Sequence, residues 1–154
     1  MMVVLYACSG GNSSSEKKSE SFDADKLYGE SGQKNETKYA DDSKGIGKFT
    51  HVEISAELDK AKADAGEKIY DLKCSACHKL TDEKLVGPGW KEVTKRRSAE
   101  WVMNFVTNVD EMLNKDASSI AMLEECLVRM PNQNLSDEDA RHVYEFMRKN
   151  DGVK

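Results

Sequence analysis

The sequence has few aromatic side chains, no excess of positive charge and no long apolar run. Aromatic residues make up 7% of its 154 residues, so a core built from side chains alone would be thin, and a large buried cofactor would relieve that shortage. The formal net charge is −5, which gives no support to nucleic-acid binding. No run is long enough to span a bilayer. With 38% hydrophobic and 33% charged residues, the chain is predicted to form one modest domain with an appendage.

The apolar N-terminus, "MMVVLYAC", ends at a cysteine. "LYAC" resembles a bacterial lipobox, in which a leucine and a small residue precede the cysteine that receives the lipid. Tyr6 is bulky for its place, and a basic segment is missing before the apolar run. We expect residues 1–8 to be a residual signal or lipobox-like segment with Cys8 as a lipid anchor. The alternative is an apolar terminus whose cysteine has no special role.

Residues 9–50 are polar and carry no apolar period. The stretch "SGGNSSSEKKSES" is typical of this segment. Such a composition cannot bury enough surface to offset the entropy of ordering, so it is predicted to be a disordered tether. A flexible chain of about 40 residues has an r.m.s. reach of roughly 35 Å. The folded domain is predicted to occupy residues 51–154.

Four segments of that domain carry the apolar period of an amphipathic helix. The predicted helices, each followed in brackets by the residues of its apolar face, cover about residues 58–77 (Leu58, Ala61, Ala65, Ile69 and Leu72), 99–108 (Trp101, Val102, Phe105, Val106 and the adjacent Val109), 117–127 (Ile120, Leu123 and Leu127) and 137–149 (Val143, Phe146 and Met147). Caps are expected at Ser98, at Asp116 or Ser118, and at Ser136, with Gly152 ending the last helix. No segment alternates like a strand, so the predicted fold class is all-α.

The stretch "DLKCSACHKL" carries the candidate chemistry. On a helical turn Cys74, Cys77 and His78 can face one side, where two thiols can bond the vinyl groups of a haem and the histidine can reach its iron. Three alternatives compete with covalent haem attachment. A thioredoxin-like pair would need a βαβ context. A structural zinc site would need a second ligand pair, which His51 and His142 do not form. Chance occurrence on a surface helix is the third.

A hexacoordinate haem iron needs a second axial ligand, and methionine is the candidate type. Four methionines lie on or beside helical stripes, where they are expected to fill the core: Met103, Met112, Met122 and Met147. Met130 differs because it lies between two helices in "LVRMPNQNLSD", with Pro131 restricting the loop behind it. Met130 is therefore the candidate ligand.

From about residue 58 to 150 the chain resembles the class I bacterial cytochromes c. The matching features, in order, are "CSACH", "LVGPGW" and "RMPNQNLSDEDARHVYEFM". The resemblance implies an all-α fold of about four helices around one covalently attached haem c. It implies His78 and Met130 as axial ligands, and the Pro88 carbonyl as acceptor of a hydrogen bond from the other nitrogen of His78.

The resemblance also suggests roles for residues around the haem. Gly66 and Tyr70 match the positions where the first helix crosses the last. Their expected partners there are Val143 and Phe146, with Tyr144 and Met147 as alternatives. Trp90 and either Arg96 or Arg97 are candidates for contacts to the haem propionates, against the alternative that "TKRRS" is a solvated basic run. Cys126 has no counterpart in the family pattern and is expected to be small core filler.

With both axial positions filled by protein, the expected function is single-electron transfer rather than catalysis. The alternatives are a haem enzyme or ligand-binding sensor with a labile sixth ligand, or a subunit of a larger reductase or oxidase complex. The resemblance implies a location on the periplasmic side of a bacterial membrane. The expected partners are a quinol-oxidising complex as donor and a terminal oxidase or nitrous oxide reductase as acceptor.

Overall fold

A computed structural model describes residues 43–154 of the chain. The predictions for the lipobox-like segment with Cys8, and for the tether up to residue 42, lie outside the described residues. The described part contains six helices: α1 Lys60–Lys73, α2 Val93–Arg96, α3 Ala99–Thr107, α4 Val109–Lys115, α5 Ala117–Cys126 and α6 Asp137–Asn150. No strand occurs within residues 43–154, and the all-α prediction is confirmed. None of the helices described is long and apolar enough to cross a membrane.

The four predicted helices are present, and two short ones were missed. These are α2 and α4, the latter separated from α3 by the non-helical backbone of Asn108, with φ −143° and ψ 47°. Val109, predicted to extend the stripe of the second helix, begins α4 instead and is fully buried. The first helix ends at Lys73 rather than near Cys77, because the chain tightens there into a turn.

Helices α1 and α6 cross at Gly66. A Cβ added to Gly66 would lie 2.0 Å from the carbonyl oxygen of His142, so only glycine permits this approach. The ring of Tyr70 lies 5.3 Å from that of Phe146, and Val143 is fully buried. The expected partners at the crossing are therefore confirmed.

The predicted apolar face of α1 is wrong in part. The buried residues of α1 are Ala63, Gly66 and Tyr70, whereas Leu72 is 85% exposed. The close approach at Gly66 decides which side of α1 contacts α6, and Leu72 lies on another side. Leu127 was also placed wrongly, since it ends α5 with φ 60° and is 84% exposed.

The expected N-caps are confirmed at three helices. Ser98 accepts a hydrogen bond from the backbone of Trp101, and Asp116, rather than Ser118, accepts one from Ser119. Ser136 forms a capping box with Asp139 at the start of α6. The last helix stops before Gly152, which has φ 89°, as expected of a helix end.

Residues 43–58, here called the N-terminal strap, contact the helical domain before α1 begins. The buried side chain of Asn104 on α3 donates to the carbonyl oxygens of Lys44 (2.8 Å) and Phe49 (2.9 Å) and accepts from the amide of Phe49 (3.0 Å). The prediction that the tether runs to residue 50 is therefore wrong for residues 43–50. A composition-based boundary misses this segment because backbone groups, rather than apolar side chains, attach it.

A buried ionic cluster on α6 holds the second half of the N-terminal strap. Glu145 is fully buried and accepts from Arg148 (2.8 Å) and Arg141 (2.8 Å). The two arginines also donate to strap carbonyls, Arg148 to Ser55 at 2.6 Å and Arg141 to Glu53 at 2.7 Å. The Glu145 carboxylate thus orients two arginines that donate hydrogen bonds to backbone carbonyl oxygens of the strap.

Candidate functional site

The candidate site begins at the turn that follows α1. The amides of Cys77 and His78 both donate to the carbonyl oxygen of Cys74, at 3.0 and 2.9 Å, so one helical turn carries all three side chains. Cys74 and Cys77 form no disulfide. Burial raises the pKa of the Cys74 thiol to about 11. The turn therefore presents two unbridged thiols beside an imidazole.

His78 is oriented by its neighbour across the loop. Its Nδ1 lies 2.9 Å from the carbonyl oxygen of Pro88, which agrees with the contact that the resemblance implied. Because a carbonyl can only accept, Nδ1 carries the proton and the Nε2 lone pair stays available for a metal. Burial lowers the pKa of His78, although the bond to Pro88 opposes that shift. The imidazole is therefore held neutral in one orientation.

A mostly apolar cavity lies against this turn. It encloses about 1160 Å³ of empty space when its open mouth is counted. Cys74, Cys77 and His78 line it together with Met130 and with apolar residues of α3 such as Phe105. His78 of the motif and the candidate Met130 thus line the same cavity, although they are 52 positions apart in the sequence.

Gly87 leaves room for the imidazole. A Cβ on Gly87 would lie 2.3 Å from Cε1 of His78, a distance that no side chain can occupy without displacing the ring. The amide of Gly87 also donates to the carbonyl oxygen of Cys77 at 2.9 Å. The "VGPG" stretch therefore folds back onto the motif, with its glycine facing the ring and its proline carbonyl orienting it.

Three methionines line the cavity: Met122, Met130 and Met147. Met147 is 3% exposed on α6, and the Met122 sulfur lies 3.9 Å from Nη2 of Arg97. Met103 and Met112 are buried in the core, as predicted. Only Met130 of the three lies in a loop, between α5 and α6, where the thioether of a half-buried side chain can face the cavity.

The two candidate arginines differ in their surroundings. Arg97 is 4% exposed and lies 4.3 Å over the ring of Trp101, so it is not part of a solvated basic run. Arg96 donates to the carbonyl oxygens of Gly89 (3.3 Å) and Lys91 (3.0 Å). Both line the cavity. Arg97 is the better candidate for a carboxylate of the ligand, because its guanidinium is buried at the cavity wall.

Trp90 and Cys126 also line the cavity. Trp90 is 6% exposed, and its ring lies 5.0 Å from that of Tyr70 and 5.6 Å from that of His78. Cys126, expected in the core, is half-buried at the end of α5. Sequence reasoning did not place Cys126 at the cavity, because its helical period does not indicate which face of α5 the cavity meets.

The competing interpretations of the motif lack their required context in the described residues. Residues 43–154 contain no group of three or more His, Cys, Asp or Glu side chains that could hold a metal ion. The same residues contain no strand for a βαβ unit. His51 is exposed and His142 lies near Glu138 at 3.8 Å, and neither lines the cavity.

The donor set fits a covalently attached porphyrin. The two thiols have the spacing required to bond the vinyl groups of a haem. The neutral imidazole on one wall and the thioether in the lining match its iron, and the buried guanidinium matches a propionate. The mostly apolar lining suits the macrocycle. Fold and site together define a small helical haem-binding domain.

Comparison with known proteins agrees. Residues 63–151 match the family described as Cytochrome c, and the chain belongs to that family. A solved cytochrome c from Rhodothermus marinus is similar with 32% sequence identity, covering 68% of this chain and 90% of that chain at a TM-score of 0.66. An engineered form of that cytochrome, bound to a carbene intermediate, is 31% identical over the same shares, with a TM-score of 0.62. A comparison with curated proteins gave no match.

Membership of the family confirms the prediction of one covalently attached c-type haem, and it makes the chain a haem-binding electron-transfer protein. The class I cytochrome c-like fold is confirmed as well, with six helices in the described residues where about four were expected. The haem supplies an iron that cycles between ferric and ferrous states.

Proposed function

We propose that this protein carries single electrons between extracytoplasmic respiratory partners, with His78 and Met130 as the axial ligands of its haem. The observation that carries the proposal is the convergence of Cys74, Cys77, His78 and Met130 on one apolar cavity. A neutral thioether opposite an imidazole favours the ferrous state and raises the reduction potential. A site with both axial positions occupied by protein suits electron transfer better than substrate binding.

Apolar side chains at the cavity mouth support docking of a redox partner there. Val86 is 40% exposed and Val128 is 55% exposed, and both line the cavity. Leu85, which precedes Val86 in the sequence, is 47% exposed. Small exposed apolar areas of this kind suit weak, transient contacts between redox proteins. Arg97, with Trp90 at the same cavity, is assigned to the propionates, while Arg96 mainly braces the 89–91 backbone.

The N-terminal segment supports a tethered placement. A lipid on Cys8 would hold the domain at the periplasmic face of a bacterial membrane, and residues 9–42 would separate the two. Tethering raises the local concentration of a carrier near its partners without new contacts. A quinol-oxidising complex is the proposed donor, and a terminal oxidase or nitrous oxide reductase is the proposed acceptor.

A second candidate function is a haem enzyme or ligand-binding sensor in which the sixth ligand leaves readily. The observation that favours it is the similar engineered cytochrome c from Rhodothermus marinus, which has been solved bound to a carbene intermediate. Met130 lies in a loop that few described contacts hold, which would ease its departure. A permanent place in a larger reductase or oxidase complex is a third candidate, and a stable co-purifying partner would favour it.

Potentiometric titration with carbon monoxide binding separates the first two functions. The protein is produced with cytochrome-maturation proteins and compared with Met130→Ala. If the protein is an electron carrier, we expect the unaltered protein to have a high reduction potential and to bind carbon monoxide slowly and weakly. We expect Met130→Ala to have a lower reduction potential and to bind carbon monoxide fast. Fast binding by the unaltered protein, with a potential that Met130→Ala leaves unchanged, would exclude the carrier with His78 and Met130 ligation.

A further inference from the structure

The loop that carries Met130 is held to the domain mainly by basic side chains. We call residues 127–135 the Met130 loop. Lys73, at the end of α1, donates to the carbonyl oxygen of Gln133 at 2.9 Å. Arg129, within the loop, donates to Asn114 at 3.3 Å. Lys84 donates to the carbonyl oxygen of Glu125, which lies just before the loop, at 2.7 Å.

The bonds inside the Met130 loop make it one local unit. The side chain of Gln133 donates to the carbonyl oxygen of Pro131 at 3.0 Å, and the amide of Asn134 donates to the side chain of Asn132 at 2.8 Å. Asn134 has φ 50°, a conformation that asparagine tolerates better than most residues. These bonds shape the loop but do not attach it to a helix.

Apolar packing adds little to that attachment. Leu127 is 84% exposed and Val128 is 55% exposed, and Pro131 is exposed as well. Leu135, at the far end of the loop, packs against the core. A segment with few buried apolar contacts opens at low free-energy cost, so each hydrogen bond to its middle matters for keeping Met130 at the cavity.

Lys73 is placed to act on that equilibrium. It immediately precedes Cys74, whose thiol is the first point of covalent attachment, and it lines the cavity. Its ammonium therefore joins the side of the cavity that carries the motif to the side that carries Met130. A charged donor to a carbonyl gives a stronger bond than a neutral one, although exposure to water weakens it.

We infer that Lys73 is a positioning residue for the sixth ligand: its bond to Gln133 keeps the Met130 loop closed over the haem and so sets how readily Met130 leaves the iron. The inference rests on the proposed ligation by His78 and Met130. An external ligand must displace the thioether, so the apparent affinity of the external ligand decreases as the fraction of protein with a closed loop increases. Loss of one exposed charged hydrogen bond should raise that affinity by about three- to five-fold.

The test is a titration of the ferric, haem-loaded protein with imidazole, followed by visible absorbance. Lys73→Met keeps the length of the side chain and removes its donors, whereas Lys73→Arg keeps a donor. Lys68→Met is the matched control, since Lys68 is exposed on the same helix and does not line the cavity. Met130→Ala reports the affinity when no thioether competes, and thermal unfolding of each variant monitors folding.

The expected result is an imidazole affinity about three- to five-fold higher for Lys73→Met than for the unaltered protein. Lys73→Arg and Lys68→Met should bind as the unaltered protein does, and Met130→Ala should bind more tightly than all of them. If Lys73→Met matches Lys68→Met while Met130→Ala still binds most tightly, the role of Lys73 is wrong and the ligation stands. If Met130→Ala itself changes nothing, the proposed ligation fails. A Lys73→Met protein that unfolds at a much lower temperature would show a structural role instead and overturn the inference.

Discussion

The hydroxyl of Tyr70 donates a hydrogen bond to the carbonyl oxygen of His78, with 2.8 Å between the two oxygens. The same ring packs 5.3 Å from Phe146 at the helix crossing and 5.0 Å from Trp90 at the cavity. One side chain thus joins the packing of α1 on α6 to the backbone of the candidate iron ligand. The position of His78 therefore depends on the helix crossing as well as on Pro88.

Replacing Tyr70 with phenylalanine separates the two roles of this side chain. The variant keeps the ring and loses the bond to His78, so the free energy of unfolding should fall by about 1 kcal/mol while haem attachment persists. Denaturant unfolding measures the loss. Tyr144→Phe is the control, because the Tyr144 hydroxyl makes no hydrogen bond within residues 43–154, and burial is the largest cause that raises its pKa. Equal effects of the two changes would contradict the assigned bond.

A methyl group at Gly66 should disrupt the helix crossing. Alanine is a better helix former than glycine by about 1 kcal/mol, but its Cβ would lie 2.0 Å from a backbone oxygen of α6. Overpacking of this kind typically costs 1–3 kcal/mol, roughly, so Gly66→Ala should lower the denaturant midpoint. Lys68→Ala, on the exposed side of α1, should leave it nearly unchanged. A Gly66→Ala protein as stable as Lys68→Ala would contradict the close approach.

Patterns that depend on local physics could be predicted from the sequence. The apolar period located four helices, the capping box fixed the start of α6 at Ser136, and the motif with its loop methionine identified residues that line one cavity. These signals lie within a few residues of the feature that they predict. The haem class followed from the same short motifs.

Features that depend on distant contacts could not be predicted. The face of α1 that is buried depends on where α6 approaches Gly66, so the amphipathic pattern misplaced Leu72. The N-terminal strap is attached through its backbone to Asn104, which leaves no trace in the composition of residues 43–50. Likewise, nothing near Lys73 in sequence indicates its bond to Gln133, 60 positions away.

Removal of the buried carboxylate of Glu145 should destabilise the protein strongly. Glu145→Gln leaves two arginines without their counter-charge at a site where the carboxylate is fully buried. Breaking a buried pair in this way costs roughly 3–5 kcal/mol, and denaturant unfolding measures it. Glu83→Gln is the control, since Glu83 pairs with Lys79 at 2.6 Å with 65% of its side chain exposed, and exposed pairs contribute little. A similar small change in both variants would show that the cluster does not hold the strap.

The capping box of α6 should make stability depend on acid pH. The hydrogen bond from the side chain of Ser136 lowers the pKa of Asp139, and its bond to the backbone of Ser136 adds to this. A carboxyl with a lowered folded pKa stabilises the protein above its ordinary value of 3.8, and that contribution disappears as the pH falls through the folded pKa. Asp139→Ala should therefore be less stable than the unaltered protein near neutral pH, with the difference shrinking below about pH 4. A difference independent of pH would contradict an electrostatic role.

The ligation by His78 and Met130 is tested most directly by the weak sulfur-to-iron charge-transfer band in the spectrum of the ferric, haem-loaded protein. Our account predicts that the band is present in the unaltered protein and in Met122→Ala, whose methionine also lines the cavity, and that Met130→Ala abolishes it while both haem thioethers remain. A band that survives Met130→Ala, or that is missing from the unaltered protein, would contradict the account.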